Sequence, residues 1–233
     1  MTDRYSHLVD QYHRDGFVIL RNVIDDHLIK ECQQHIEFLQ KKYPSIPGEH
    51  LHHPIMRNDP FWVRLITDQR LLDLVALFGV PFIKPNEGIA LFSSHHFCKP
   101  PKTGMPVLWH QDDVSIHHPN IIHSSEANTS DRRRCGLAIR YIAPTTECLN
   151  KEQPVMMMRG KSIAGINHYR SWPKYRPGYD FPFEDCEQWN EKRRIEPEDE
   201  PYFDRTDYDQ MDQEIQDKVF AFIAKLGGKA PPK

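Results

Sequence analysis

The chain has 233 residues, with 30 basic and 33 acidic side chains and a formal net charge of −3. A single globular domain of this length buries a sizeable core without disulfide staples, and the near balance of charge excludes a global field for nucleic acid or anionic lipid. No run of about 18 apolar residues is present, and Met1-Thr2-Asp3-Arg4-Tyr5 has no apolar leader segment. The expectation is a cytoplasmic protein with neither a membrane nor a nucleic-acid partner. The five cysteines, Cys32, Cys98, Cys135, Cys148 and Cys186, are odd in number and contain no C-x-x-C pair. They read as reduced thiols rather than a disulfide framework or a zinc knuckle. The 14 histidines raise a metal hypothesis that composition alone cannot support.

Ser6 to Arg14 reads as a short helix broken by Asp15-Gly16, and Phe17 to Leu20 as a short buried strand. Asp25 and Asp26 are good N-caps for a helix running to about Lys42. Its apolar positions Leu28, Ile29, Cys32, Ile36 and Leu39 follow the 3.6-residue period, and Pro44 ends it. Phe61–Ile66 and Leu71–Phe78 predict two further helices, closed by Gly79 and Pro81. Beyond Pro81 the texture changes to short strand-like runs: Phe82-Ile83, Gly88–Phe92, Pro106–Trp109, Asn120–His123 and Gly136–Ile142. The Met156-Met157-Met158 run reads as core packing. Ser171–Asp209 is rich in Pro, Tyr, Trp and charge and reads as a long arm, followed by an amphipathic helix over Met211–Leu226. Helices first and strands later predict an α+β chain, a helical layer on an antiparallel sheet.

The sharpest candidate for chemistry is Trp109-His110-Gln111-Asp112. On a strand, residues i and i+2 share a face, so one imidazole and one carboxylate can meet one ion. A second, distant histidine would complete the 2-His-1-carboxylate triad of non-haem Fe(II) enzymes, which leaves positions open for cosubstrate and oxygen. The tripeptide is weak evidence by itself, since a chain this rich in His and Asp contains roughly one H-x-D by chance. A second match, His13-Arg14-Asp15, falls on a helix and its stop signal, where i and i+2 diverge. It reads as surface. His50, His52 and His53 read as solvent-facing in a proline-flanked loop, and His95 and His96 as preceding a strand end. At most one of His117 and His118 lines the candidate site.

Downstream lies Asn120-Ile121-Ile122-His123-Ser124-Ser125-Glu126-Ala127-Asn128-Thr129-Ser130-Asp131-Arg132-Arg133-Arg134-Cys135-Gly136-Leu137. With Lys99-Pro100-Pro101, Trp109-His110-Gln111-Asp112 and the opening Tyr12-His13-Arg14-Asp15-Gly16-Phe17-Val18-Ile19-Leu20, this stretch resembles the phytanoyl-CoA dioxygenase family of Fe(II)/2-oxoglutarate oxygenases. The resemblance runs over about residues 9–180 of a single domain spanning 1–233, with a C-terminal arm and helix over 181–228. It implies that His110, Asp112 and His123 hold Fe(II), and that Arg134 grips the distal carboxylate of 2-oxoglutarate, a role that suits a planar, bidentate guanidinium. Ser125 would donate its hydroxyl to the same carboxylate. Lys99 would steer an acidic group, or else is a solvated loop lysine. Arg132 and Arg133 read as surface charges. The implied activity is hydroxylation of a small organic substrate, with succinate and CO₂ as co-products. The carboxylate of Asp112, which halogenating relatives replace, argues for hydroxylation.

One feature departs from the family. Only ten residues, Asp113 to Ile122, separate Asp112 from His123, where the family has a much longer stretch. The implied fold is a double-stranded β-helix, a jelly roll, with N-terminal helices packed on it and middle strands lost through an internal deletion. Ten residues span at most about 35 Å, so a wide hairpin could bring His110, Asp112 and His123 together, with Asp113–Pro119 as a loop. Lost strands leave sheet edges unpaired, which favours cover by a second copy in a homodimer. They also admit water to the iron. The alternative to an active dioxygenase is therefore a catalytically impaired remnant that binds metal or a partner. A generic metal-binding jelly roll is a third reading, and it predicts no dependence on Arg134.

Overall fold

The computed structural model describes residues 4–44, 48–51, 56–80, 82–84, 86–110, 123–149 and 154–197. Among these, helices come first and strands later, as the patterning predicts: α1 (Val9–Asp15), α2 (Asp26–Lys42), α3 (Pro60–Ile66) and α4 (Gln69–Phe78) precede β1 (Gly88–Lys99), β2 (Val107–His110), β3 (His123–Ser125), β4 (Arg134–Ile142), β5 (Val155–Gly160) and β6 (Tyr169–Arg170), and α5 (Cys186–Lys192) follows. The molecule is thus a mixed α and β fold. None of the described helices is long and apolar enough to cross a membrane.

Local chemistry sets the helix ends. Gly16 closes α1 with φ +77°, a left-handed cap where a side chain would be strained. The Asp25 carboxylate caps α2 by accepting from the Leu28 amide at 2.8 Å. Asp59 does the same for α3, with Pro60 at the first turn. The α2 face that packs inward carries Leu28, Ile36 and Leu39, but also Glu31 and His35. Ile29, expected on it, is exposed. The expected strand over Phe17–Leu20 does not form. That segment has no regular secondary structure, with Val18 and Leu20 against a small cluster around Tyr12 and Phe78 while Phe17 and Ile19 face solvent. Phe82-Ile83 is a turn, not a strand.

The strands form a four-stranded sheet, ordered β4-β1-β5-β6, and a separate two-stranded ribbon of β2 and β3. β1 is longer than the sequence suggests and is the hub, antiparallel to β4 along most of its length and to β5 at its start. Helices α2, α3 and α4 bury their apolar faces on one side of it through Leu39, Phe61, Trp62, Leu65, Leu72 and Val75 with Ile89, Leu91 and Met156. The methionine run lies within β5 and is buried, as expected. The described part of the C-terminal arm is structured: Tyr175, Phe181, Phe183 and Trp189 enter the same core, and the Trp189 indole donates to the Pro173 carbonyl at 2.7 Å. The rest of that arm, 198–209, and the helix expected over Met211–Leu226 lie outside the described residues.

Candidate metal and cosubstrate site

The site is built where β1 ends. An irregularity between Leu91 and Ser93 sets the alternation of the strand beyond it. Ser94, His96 and Cys98 turn toward the helices and are buried. Ser93, His95, Phe97 and Lys99 take the other face, because successive side chains alternate. Their direct partners on β4 are Arg140, Ala138, Gly136 and Arg134. Directly opposed residues of an antiparallel pair share a face, so this face carries a basic row. Arg140 donates to His95 Nδ1 at 3.3 Å, which makes that nitrogen the lone-pair one. The His95 ring meets the Phe97 ring edge to face at 4.3 Å.

Lys99 is 4% exposed, which rules out the solvated-lysine reading. Its ammonium donates to the Ser125 carbonyl at 3.1 Å, to Ser125 Oγ at 3.0 Å and to the Glu126 carbonyl at 2.7 Å. An ammonium has three donors, so all are committed to β3 and its exit. Burial, followed by the charge of Arg134, holds its pKa below the usual lysine value. Ser125 Oγ is therefore an acceptor for Lys99, and its own proton stays available for a ligand. Arg134 is exposed and lies directly across from Lys99. Lys99, Ser125 and Arg134, three positions that the resemblance implies for the cosubstrate, are thus brought to one place. Arg132 and Arg133 are exposed as expected, and Arg133 reaches back to Gln40 of α2 at 3.2 Å.

Asn128, which sequence reasoning did not single out, holds this corner. It is 1% exposed. Its amide donates to the carbonyls of Lys99, Pro100 and Arg132 at 3.2, 2.9 and 2.8 Å, and its oxygen accepts from Ser130 Oγ at 2.7 Å. The readable signal was Asn128-Thr129-Ser130, an Asx-turn pattern.

The expected ligand positions lie on the ribbon. β2 and β3 are antiparallel, with Val107 opposite Ser125 and His110 opposite His123. The register therefore pairs the two histidine positions directly. The ribbon is irregular between Val107 and His110. Asp112, His117, His118 and the 113–122 connection lie outside the described residues, as do the side chains at 110 and 123. Among the described residues no three His, Cys, Asp or Glu side chains gather as a metal-binding group. The second H-x-D match is surface, as read: His13 and Asp15 are exposed, and Asp15 pairs with Arg14 at 2.8 Å.

Behind the site, on the helix side of β1, lies a buried polar layer that the sequence did not announce. His35 Nε2 meets Asp59 Oδ2 at 2.8 Å, and the Trp62 indole donates to Ser94 Oγ at 2.8 Å. His96 packs against Trp62 with ring centroids 4.3 Å apart. Among the described residues neither of its ring nitrogens has a geometrically sound hydrogen-bond partner. Burial, then the neighbouring His35, pulls the His96 pKa down to about 3.

No protein-family profile matches the chain, and no curated protein matches it in sequence. Solved structures do match. A nickel complex of ThoJ, described as a non-heme monooxygenase, superposes with a TM-score of 0.54 at 19% identity, over 75% of this chain and 91% of that one. The same protein without metal gives 0.52, also at 19% identity, over 75% and 90%. This chain shares the ThoJ fold. EvdMO1 superposes at a TM-score of 0.39 with 15% identity over 52% of this chain, too loosely to define a common fold. The ThoJ match covers nearly the whole of the ThoJ chain, so the shared fold is that of the entire neighbour and not of a fragment.

Proposed function

We propose that the protein is an Fe(II)- and 2-oxoglutarate-dependent dioxygenase of the phytanoyl-CoA dioxygenase type, which hydroxylates a small organic substrate. The observation that carries this reading is the register of β2 on β3, in which His110 and His123 are cross-strand partners. Despite the short connection, positions 110 and 123 are paired in the ribbon. His110, Asp112 and His123 would hold the metal, a donor set of two neutral imidazoles and one carboxylate that suits Fe(II). Bound iron and 2-oxoglutarate would supply the oxidising power, with release of succinate and CO₂.

The chain's own residues do the rest. Arg134 presents a planar guanidinium to the distal carboxylate of 2-oxoglutarate and fixes its orientation. Ser125, its oxygen held by Lys99, donates its hydroxyl proton to the same carboxylate. Lys99 acts by locking Ser125 in place, not by touching the cosubstrate. Fold likeness to a non-haem monooxygenase supports this reading, and we read the four-stranded sheet and the ribbon as a jelly roll reduced by lost strands. A specific observation favours the second reading, an impaired remnant that binds metal or a partner: Arg134 to Leu137 of β4 are all exposed, so the cosubstrate corner lies open to water. An edge this open is the face on which a second copy would pair.

The test is an anaerobic titration of the full chain with Fe(II) and 2-oxoglutarate. A weak visible charge-transfer band is expected, together with succinate formation once oxygen is admitted. Arg134→Ala should raise the 2-oxoglutarate concentration needed at least about tenfold, the loss of one charge-assisted bidentate contact. A folded protein that gives no band at saturating cosubstrate is the remnant. A band insensitive to Arg134→Ala indicates metal binding of another kind.

A further inference from the structure

Cys98 and Cys135 are direct cross-strand partners in the β1–β4 pair. Opposed positions of an antiparallel pair have Cα atoms about 4.5 or 5.5 Å apart, and both values lie inside the range of roughly 4.4–6.8 Å that a disulfide bridges. The register therefore sets the two sulfurs within reach of each other. We propose that Cys98 and Cys135 are a peroxide-oxidised dithiol, closing a reversible intramolecular disulfide between β1 and β4.

The two sulfurs are unequal in the way such chemistry needs. Cys135 is exposed, while Cys98 is 2% exposed beneath the helical layer. The Cys98 hydrogen bond, with help from the Arg133 charge, draws the Cys135 pKa down to about 7 against the effect of burial. Arg133 is steadied there by Gln40 at 3.2 Å and by Glu37 at 3.9 Å, both on α2. Cys98 is held as the protonated thiol, first by that hydrogen bond and then by burial. One sulfur is thus open to an oxidant and the other sheltered beside it. Two of the remaining cysteines lack this setting: burial pushes Cys32 up to about 11, and Cys148 is buried.

The chemistry balances with hydrogen peroxide as the oxidant. The Cys135 thiolate attacks one peroxide oxygen, the O–O bond breaks, and the departing hydroxide takes a proton to become water. Cys135 is then a sulfenic acid. The Cys98 sulfur attacks the Cys135 sulfur, an S–S bond forms, and the sulfenic hydroxyl leaves with the Cys98 proton as a second water. Two electrons pass from the thiols to peroxide. The product clamps Lys99 against Arg134, the next pair in register, and encloses the β2–β3 ribbon within the closed loop. A thiol reductant reverses it.

The experiment uses the full chain, reduced, desalted and kept with a chelator so that no metal takes part. A small excess of hydrogen peroxide is added, the protein is unfolded in N-ethylmaleimide, and its mass is read. Three maleimides instead of five are expected, with a peptide joining Cys98 to Cys135 and all five thiols restored by dithiothreitol. In Cys98→Ser the same peroxide should leave Cys135 as a sulfenic acid trapped by dimedone. Five labels on the oxidised wild type would overturn the proposal. So would loss of a different pair of thiols, or a link between two chains. The wild-type mapping decides the matter even if the variant does not fold.

Discussion

Lys99 commits all three of its protons to Ser125 and Glu126, and this changes what its removal does. In Lys99→Met the apolar stem survives, but the two carbonyls and the hydroxyl lose a buried donor. A loss of about 2 kcal/mol in unfolding free energy is expected, since hydrogen bonds to a charged group are worth roughly 1.5–3 kcal/mol. Urea denaturation at neutral pH measures it, and an unchanged midpoint would show that the lysine holds nothing. His96 gives a prediction in pH. It is buried on the helix side of β1 beside His35 and Asp59, and its pKa is about 3 against about 6.5 in the unfolded chain. Between these values the unfolded chain binds the proton and the native one does not. Stability is therefore complete above pH 6.5 and falls as pH drops toward 3. Moving from pH 7.5 to 5.0 should cost the wild type about 2 kcal/mol more than His96→Phe. Parallel pH profiles for the two proteins would show that His96 is not buried neutral. The candidate positions could be picked out because H-x-D and a downstream His and Arg form a pattern in the chain. His35, Asp59 and His96 could not, because a polar residue on an apolar helix face or strand looks like surface until its partner, 24 residues away in the case of His35 and Asp59, is folded against it.

At the level of elements, caps and periodicity located α2, α3 and α4 to within a residue or two and the start of α1 to within three, since Asp25, Gly16 and Gly79 act through their immediate neighbours. Strands were harder. β1 runs on from Phe92 to Lys99 through Ser93, Ser94, His95 and His96, a polar stretch whose pairing with β4 comes from tertiary contact and not from β-propensity. Phe17–Leu20 failed the other way: its apolar run has the right residues but, among the described residues, no strand pairs with it. The start of β1 rests on a close approach that only glycine allows. Gly160 has φ +82°, and a Cβ there would stand 2.6 Å from the Gly88 Cα. Gly160→Ala therefore meets both backbone strain and a backbone clash. It should destabilise by at least about 2 kcal/mol, read as a lower thermal midpoint. A neutral result would mean that β1 and β5 separate there without penalty.

For the molecule as a whole, the order of helices before strands was visible in the chain, but the division into a main sheet and a separate ribbon was not, because sheet partners are chosen across long gaps. That division has an energetic consequence. A two-stranded ribbon is marginal by itself. Here β2 and β3 are tied to the main sheet through Lys99 and through Asn128, whose amide reaches back to the Lys99 carbonyl at 3.2 Å. A metal held jointly by His110 and His123 would join the two ribbon strands at the positions the register already pairs, and it would bind the folded chain and not the unfolded one. Ligand at about 100 times its dissociation constant adds roughly 2.7 kcal/mol, which for a chain of this size raises the melting temperature by roughly 5–10 °C. Thermal unfolding with and without Ni(II), an air-stable stand-in for Fe(II), should show that rise in the wild type, and His110→Ala and His123→Ala should each abolish it while their metal-free midpoints stay near the wild-type value. If both variants keep the full rise, the metal sits elsewhere and the pairing of the two histidine positions is a feature of the ribbon alone.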